Sequence, residues 1–330
     1  MRRKRKEELE RSQESVSYIP DDILKNRTDV ADRAKYYDKF YPHMFIEDVK
    51  LRIMPIGGRV SKKEFNISLE PPDTEVQKIV ENAISPDRYH HDLAGIICDF
   101  VANCAVHLLI YEAINYEIAY LLEPKNKKVV GFELVQINPY TLIQKRGSSI
   151  LQFLPDESAK KLSKRDHIEL KHERILTFKL PVYIQGKLDQ IMESMRILSL
   201  TSPDFFMKEL AAGFRKTPYD VTAHYHLRNV ALAKITKDFG WNARNSFEKE
   251  ASEYYLIYRY LKFEKFRIEL RNSILDTLNA GLELVGKQLG FKTKILVNGL
   301  PTLDDVQTAF DHLTKGDIPF GEILEPFQGF

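Results

Sequence analysis

Tyr116-Glu-Ile-Ala-Tyr-Leu-Leu122 is an apolar run of strand length, followed by the turn Glu123-Pro-Lys-Asn-Lys127 and a second run, Val129-Val-Gly-Phe-Glu-Leu-Val-Gln-Ile137. Two such runs around a short polar turn are typical of an antiparallel hairpin. A second turn at Asn138-Pro139 leads to further strand-like stretches, at 141–144, 150–153 and 174–180. The sequence therefore predicts an antiparallel strand meander over residues 116–180.

Before the meander, the sequence predicts a helix and, further upstream, short strands. Apolar residues recur at helical spacing, at positions 93, 96, 97, 100, 101, 104, 108 and 111. Ser85-Pro86-Asp87 is a good N-terminal capping signal, so we expect a helix over 85–115. Further upstream, 45–54 and 65–69 alternate in part between apolar and polar residues, which predicts short strands within 45–69.

The chain after Pro181 is predicted to be mostly helical. Residues 188–198 and 219–239 fit two helices, and a third pattern runs from Phe247 to Leu289 before Gly290. Unbroken, this third helix would span about 60 Å and would need packing along its whole length.

Together these patterns predict an α+β chain with an antiparallel sheet and long helices. Four regions follow from them: a charged N-terminal arm (1–44), an α/β region (45–184), a helical region (185–245) and a long helix with a helical C-terminal part (246–330).

Composition restricts the classes of function. The formal net charge is only +2, which argues against a protein that grips DNA along its length but not against a surface past which DNA slides. We expect no transmembrane helix, because no run approaches ~20 uninterrupted apolar residues, and no signal peptide, because no apolar core follows the basic start. Cys98 and Cys104 are expected to be buried thiols in a reducing compartment.

The N-terminal 40 residues are highly charged and poor in aliphatic side chains. We expect an arm that orders only against a partner. The basic run from Arg2 to Lys6 could contact phosphate, but we favour a solvated tail.

No catalytic motif is found. The chain lacks a glycine-rich phosphate loop, a nucleophile elbow and cysteines at metal-ligand spacing, so we expect no enzyme, no cofactor and no metal. His167 and His172 lie in a charged stretch with Asp166, Glu169 and Glu173, where a solvated face is favoured over a carboxylate–histidine site.

Tyrosines and basic residues alternate at the start of the long helix. Such interleaving can stack bases and hold phosphates, but glutamates interrupt it, so packing or subunit contact is favoured over nucleic-acid contact. The candidate DNA or subunit contacts are Tyr255, Arg259, Lys262, Arg267 and Arg271.

The order of these elements resembles that of the portal proteins of tailed phages. The passages that carry the resemblance are 108–120 and 128–140 (helix into sheet, then hairpin), 173–181 (closing strand), 230–241 (returning helix), 266–279 (late helix), 303–316 and 318–324 (C-terminal helices). In such proteins the sheet region is called the wing and the helical pair the stem. The resemblance thus implies a wing-like 45–184 and stem-like helices in 185–245.

The resemblance implies a structural ring of about twelve copies that closes through heterologous contacts. Such a ring lies at a capsid vertex of the virion, is made in the host cytoplasm, and provides a channel for double-stranded DNA during packaging and ejection. The implied partners are other copies of the chain, the major capsid protein, and the packaging terminase or a head–tail adaptor; no membrane is implied.

The sequence departs from the family at the clip, the strands that separate the two stem helices. Only residues 211–218 hold that place, so Phe214, Arg215 and Lys216 would form a much reduced clip. Two alternatives stay open. One is a nucleic-acid-binding or processing protein that uses the basic arm and the Tyr/Arg-rich helix. The other is an enzyme that uses His167 and His172.

Overall fold

The computed structural model describes residues 9–17, 28, 30, 33–37, 39–55, 65–85, 92–144, 150–153, 167–200, 221–244 and 252–328. The helices are α1 (Ala34–Tyr37), α2 (Phe40–Ile53), α3 (Thr74–Ile84), α4 (Leu93–Tyr111), α5 (Val182–Leu200), α6 (Val221–Phe239), α7 (Glu253–Leu289), α8 (Leu303–Lys315) and α9 (Phe320–Leu324). The strands are β1 (Glu10–Arg11), β2 (Asn66–Glu70), β3 (Ala113–Leu122), β4 (Val129–Ile137), β5 (Leu142–Gln144), β6 (Ile150–Phe153), β7 (His167–Leu170), β8 (Ile175–Lys179) and β9 (Lys294–Asn298).

The fold class is α+β, as predicted. Strand β3 is the centre of the largest sheet. It pairs antiparallel with β4 along one edge, and β8 and β1 share its other edge. Strands β5, β6 and β7 form a second antiparallel sheet, and β2 pairs with β9.

Helix α4 leads directly into β3. Asp92 caps its start by accepting a hydrogen bond from the backbone N–H of Gly95 (2.8 Å). It ends at Glu112, whose φ of 61° turns the chain into the sheet. By length and composition α4 could cross a membrane, but 67% of its most apolar window is buried inside the fold, as in a core helix.

An aromatic cluster joins α2, α6 and α7. The Phe45 ring lies in α2 and is fully buried, 5.8 Å from the Phe266 ring of α7 and 5.4 Å from Trp241, measured between centroids. Phe239, at the end of α6, stacks on Phe266 at 4.6 Å. This cluster fixes where α6 meets α7.

The long helix forms without interruption. Ser252 caps its start, and Gly290 ends it in the left-handed conformation (φ 81°). The predicted stop is therefore confirmed. Its 37 residues span about 55 Å at ~1.5 Å per residue.

The strand predicted at 45–54 is wrong. This stretch lies in α2, whose buried side chains Phe45, Val49 and Ile53 are four residues apart. That spacing is the period of a helix face and competes with the partial alternation that predicted a strand. The strand predicted at 65–69 is confirmed as β2.

The helix predicted over 85–115 is shorter. Ser85 is the C-cap of α3 rather than an N-cap, and α4 begins after Asp92. It ends at Tyr111, because the chain has already entered β3 at Ala113. The charged stretch 156–173 also contains a strand that the sequence did not predict, β7, which pairs with β6.

The arm is ordered in part by this chain itself. Residues 9–17 lie along β3, and α2 starts at Phe40. The expectation that residues 1–40 order only against a partner is therefore wrong for these described parts. The polar groups that hold the arm lie on β3 and β6, more than a hundred residues away in sequence.

We expect Phe45→Ala to lower the free energy of unfolding by about 3–5 kcal/mol, because it opens a cavity among four aromatic rings. Phe40→Ala, on the same helix but 59% exposed, should change it by less than ~1 kcal/mol. Urea denaturation of both variants measures the difference, and equal losses would contradict the described position of α2.

Candidate contact surface at the start of the long helix

The predicted contact residues all lie on the first half of α7, but they do not form one surface. Tyr255 is exposed in the first turn, where its backbone N–H donates to the Ser252 hydroxyl (3.3 Å). Arg259 and Lys262 are partly buried. Arg267 and Arg271 are buried inside the protein.

The exposed part of this surface is a tyrosine row. The rings of Tyr254 and Tyr258, four residues apart on one helix face, stack in parallel with centroids 6.5 Å apart. Tyr258 also meets the edge of Phe310 from α8 at 5.6 Å. The row is therefore partly used to dock α8, and its remaining exposed area is apolar and aromatic.

Lys262 is tied to its own fold. Its Nζ lies 5.3 Å from the centroid of the Tyr258 ring and donates to the backbone carbonyl of Lys237 near the end of α6 (2.5 Å). A cation at the C-terminal end of a helix satisfies carbonyls that lack partners within the helix. Contact with a phosphate would require Lys262 to give up this bond.

Arg267 and Arg271 do not lie on the predicted contact surface, because both side chains are buried. Arg267 forms an ion pair with Glu264 and donates to the backbone carbonyl of Arg52 (2.5 Å), and Arg271 donates to that of Pro301 (2.5 Å). Burial lowers the pKa of Arg267 to about 9 and that of Arg271 to about 10, because it removes water from the charged form. Both remain cations at neutral pH and bind groups of their own chain.

A cleft of about 700 Å³ lies beside this part of α7. Its walls come from the end of α2, the α6–α7 junction, α7 itself and α9. The residues with polar side chains on these walls are Asp48, Arg52, Trp241, Asn242, Arg244, Glu253, Arg259 and Tyr260.

Asp48 organises the junction side of the cleft. Its carboxylate accepts a hydrogen bond from the Trp241 indole (2.7 Å) and two from the Arg244 guanidinium (2.8 and 2.6 Å). Arg244 also reaches Glu47 (2.7 Å). These bonds attach the junction to α2, and they leave the Asp48 carboxylate saturated.

Arg259 lines the same cleft from α7. Burial lowers the pKa of its guanidinium, and its Nη1 has no hydrogen-bond partner among the described residues. The Nε atoms of Arg267 and Arg271 likewise have no partner among the described residues, so all three arginines of the predicted set keep unused hydrogen-bonding capacity.

The remaining predicted residues do not converge on a site. His167 and His172 are both exposed, one in β7 and one in the turn before β8. Within the described ranges no group of three or more His, Cys, Asp or Glu side chains could hold a metal ion. The clip residues Phe214, Arg215 and Lys216 lie outside the described residues.

Both cysteines are free and buried, as predicted. The Cys104 sulfur lies 3.8 Å from the Tyr116 hydroxyl oxygen. Burial raises the pKa of the Cys104 thiol to about 12, so the thiol stays protonated at neutral pH. Since the thiolate is the reactive form, this cysteine serves packing.

Sequence reasoning missed two polar clusters. Arg33 is almost completely buried, paired with Glu112 and with Asp189 (2.8 Å), and it joins the arm region to α5. Glu117 and Gln152 are buried within the sheets and bind the backbone of the arm. For Glu117 and Gln152, the signal in the sequence was a polar residue within a stretch of predicted strand that is otherwise largely apolar.

Gly240 allows α6 to end directly on α7. A Cβ there would lie 2.2 Å from the Arg259 carbonyl oxygen, whereas Gly290, at a similar positive φ, has open space around it. We expect Gly290→Ala to cost about 1–2 kcal/mol of unfolding free energy from backbone strain alone. Gly240→Ala should cost at least ~2 kcal/mol more, because backbone atoms must move. Thermal or urea unfolding of both variants tests this; equal costs would contradict the close approach.

Comparison with known proteins adds a structural likeness. No family model matches the chain, and no curated protein matches it. A chain from a solved structure titled "Virion of native gene transfer agent (GTA) particle" aligns with a TM-score of 0.48 and 10% identity, covering 88% of this chain and 91% of that chain. A likeness at this level assigns neither a family nor a function to this protein.

Proposed function

We propose that this chain is the ring-forming portal subunit of a tailed-virus capsid vertex, a structural protein through whose ring double-stranded DNA passes. The support is the order of its elements together with the sequence resemblance. A strand meander leads into α5, residues 201–220 link α5 to α6, and α6 leads into the long helix. In the proposed ring, α5 and α6 are the stem and the β3-centred sheet belongs to the wing.

The observation that carries the proposal is the helical pair α5–α6. Each helix has 19 residues, about 28 Å at ~1.5 Å per residue. They pack on each other through buried side chains such as Leu188 and Ile235, and an ion pair joins Lys187 to Asp238 (3.5 Å). The two helices are thus matched in length, as a stem requires.

The exposed side of α6 carries two large apolar side chains among polar ones such as Asn229 and Lys234. Leu227 and Val230 are 50% and 54% exposed and lie three residues apart, on one face of the helix. Neighbouring exposed apolar side chains often mark a protein interface. In the proposal they pack against the next copy of the chain in the ring.

The charge of the chain suits a channel. A strongly basic wall would hold DNA by counterion release and slow its passage, whereas the net charge here is +2. The major capsid protein and a terminase or head–tail adaptor are proposed partners, and no catalytic activity is proposed. The burial of Arg267 and Arg271 and the bond from Lys262 to α6 argue against the nucleic-acid-binding alternative on α7; the basic run from Arg2 to Lys6, which that alternative also uses, lies outside the described residues.

The native mass of the purified chain tests the proposal. Light scattering after size exclusion, with negative-stain images of the same peak, should give rings of about twelve copies with a central hole. A stable monomer or dimer at high concentration, at every salt concentration tried, would rule out the portal function. DNA binding that weakens steeply with salt, without rings, would instead support the alternative.

Leu227→Glu combined with Val230→Glu should abolish ring assembly and leave a folded monomer, because charges would be buried at the subunit contact. Light scattering measures the loss, and circular dichroism checks that the helices are retained. The matched control, Leu227→Ile with Val230→Ile, keeps the face apolar and should assemble. Rings formed equally well by the glutamate variant would exclude this face as the contact.

A further inference from the structure

The arm lies in a groove built to bind a peptide backbone. Glu117, on β3, is 1% exposed, and its two carboxylate oxygens accept hydrogen bonds from the backbone N–H groups of Glu14 (2.7 Å) and Ser15 (2.8 Å). A carboxylate this deeply buried is costly unless it is hydrogen-bonded. With the arm in place, the main-chain N–H groups of the extended segment meet this requirement.

Gln152, on β6, completes the groove. It is fully buried, and its side-chain amide accepts from the backbone N–H of Val16 (2.8 Å) and donates to the Val16 carbonyl (2.7 Å). The amide thus reproduces the pair of bonds that a neighbouring strand would make. Like Glu117, Gln152 binds backbone groups of the arm. These two residues therefore bind an extended segment without selecting its side chains.

Charged side chains select the segment. Arg11 pairs with Glu133 (2.6 Å), and Glu14 pairs with Lys171 (3.1 Å) and Arg174 (3.5 Å). Of the arm side chains from 9 to 17, Ser15 is the buried one. The arm is held by main-chain bonds and charge, with little apolar burial.

We infer that in the assembled ring this groove is filled by the arm of the neighbouring copy. The inference rests on the proposed function. The described arm segment is 9–17, and further along the chain Arg33 is held by Glu112 and Asp189. Fifteen residues, 18–32, lie between these points, and extended they span roughly 50 Å.

The exchange requires no contact that this structure lacks. Every bond between the arm and the groove can form equally well between two copies, and exchange of an identical element costs little. In a closed ring each groove has a neighbouring arm at high effective concentration. An exchanged arm also adds contacts between subunits, which an arm bound to its own chain does not.

Disulfide trapping tests the exchange. Arg11 and Leu121 are directly paired across β1 and β3, so Arg11→Cys with Leu121→Cys should form a disulfide on mild oxidation. With exchange, the assembled double variant gives a ladder of covalently linked chains on a non-reducing gel. With the arm bound to its own chain, it gives single chains with an internal disulfide.

Two controls make the result specific. Each single variant alone, and the unaltered chain with its buried Cys98 and Cys104, should stay monomeric on the gel. Glu117→Gln added to the double variant should slow trapping about tenfold, because one carboxylate oxygen is replaced by an NH2 group that faces a backbone N–H. Glu123→Gln, on the exposed hairpin turn, is the matched change and should leave the rate unaltered.

The outcomes separate this inference from the proposed function. Light scattering reports whether a ring forms, and the gel reports how the arms are bound. Rings whose double variant oxidises only within single chains would overturn the exchange and leave the portal function standing. Absence of any assembly would overturn the portal function and the exchange with it.

Discussion

Helix α7 runs for 37 residues, and a helix of that length in water needs lateral packing to be stable. Three parts of the chain supply it. The first turns pack on α8 and α9, the middle packs on the aromatic cluster around Phe45, and the last part packs on the sheet, where Gly281 lets Leu176 of β8 approach. The other elements are therefore positioned by the faces of α7 that they cover.

Packing on several sides explains the buried charges of α7. Arg267 and Arg271 lie at positions with no free face to solvent, so each guanidinium binds a carbonyl that needs a donor. The Arg52 carbonyl lies in the last turn of α2, where helix carbonyls have no partner within the helix. Residues predicted from their charge as outward contacts are thus internal connections between α7 and its neighbours.

Local patterns predicted much of the fold, namely the strand meander, the long helix with its Gly290 stop and the helical C-terminal part. They failed at 45–54, where the spacing of a helix face competes with the alternation of a strand. They also failed at Arg267, which was predicted to be an outward contact but is buried by tertiary packing. The groove residues Glu117 and Gln152 could not be assigned from sequence, because their partners lie 103 and 136 residues away. In the sequence, each is simply a polar residue within a stretch of predicted strand.

The two proposed contacts between copies differ in physical character, and this bears on how a ring would assemble. The proposed α6 contact rests on the apolar side chains Leu227 and Val230, so its contribution should strengthen or hold as salt rises. The charged pairs that select the arm, such as Arg11 with Glu133, are partly exposed and should weaken over the same range. The buried bonds made by Glu117 and Gln152 are screened little. Rising salt should therefore weaken the charged contacts that select the arm before it dissociates the α6 contact. The stem-like pair, rather than the arm, would hold the ring closed.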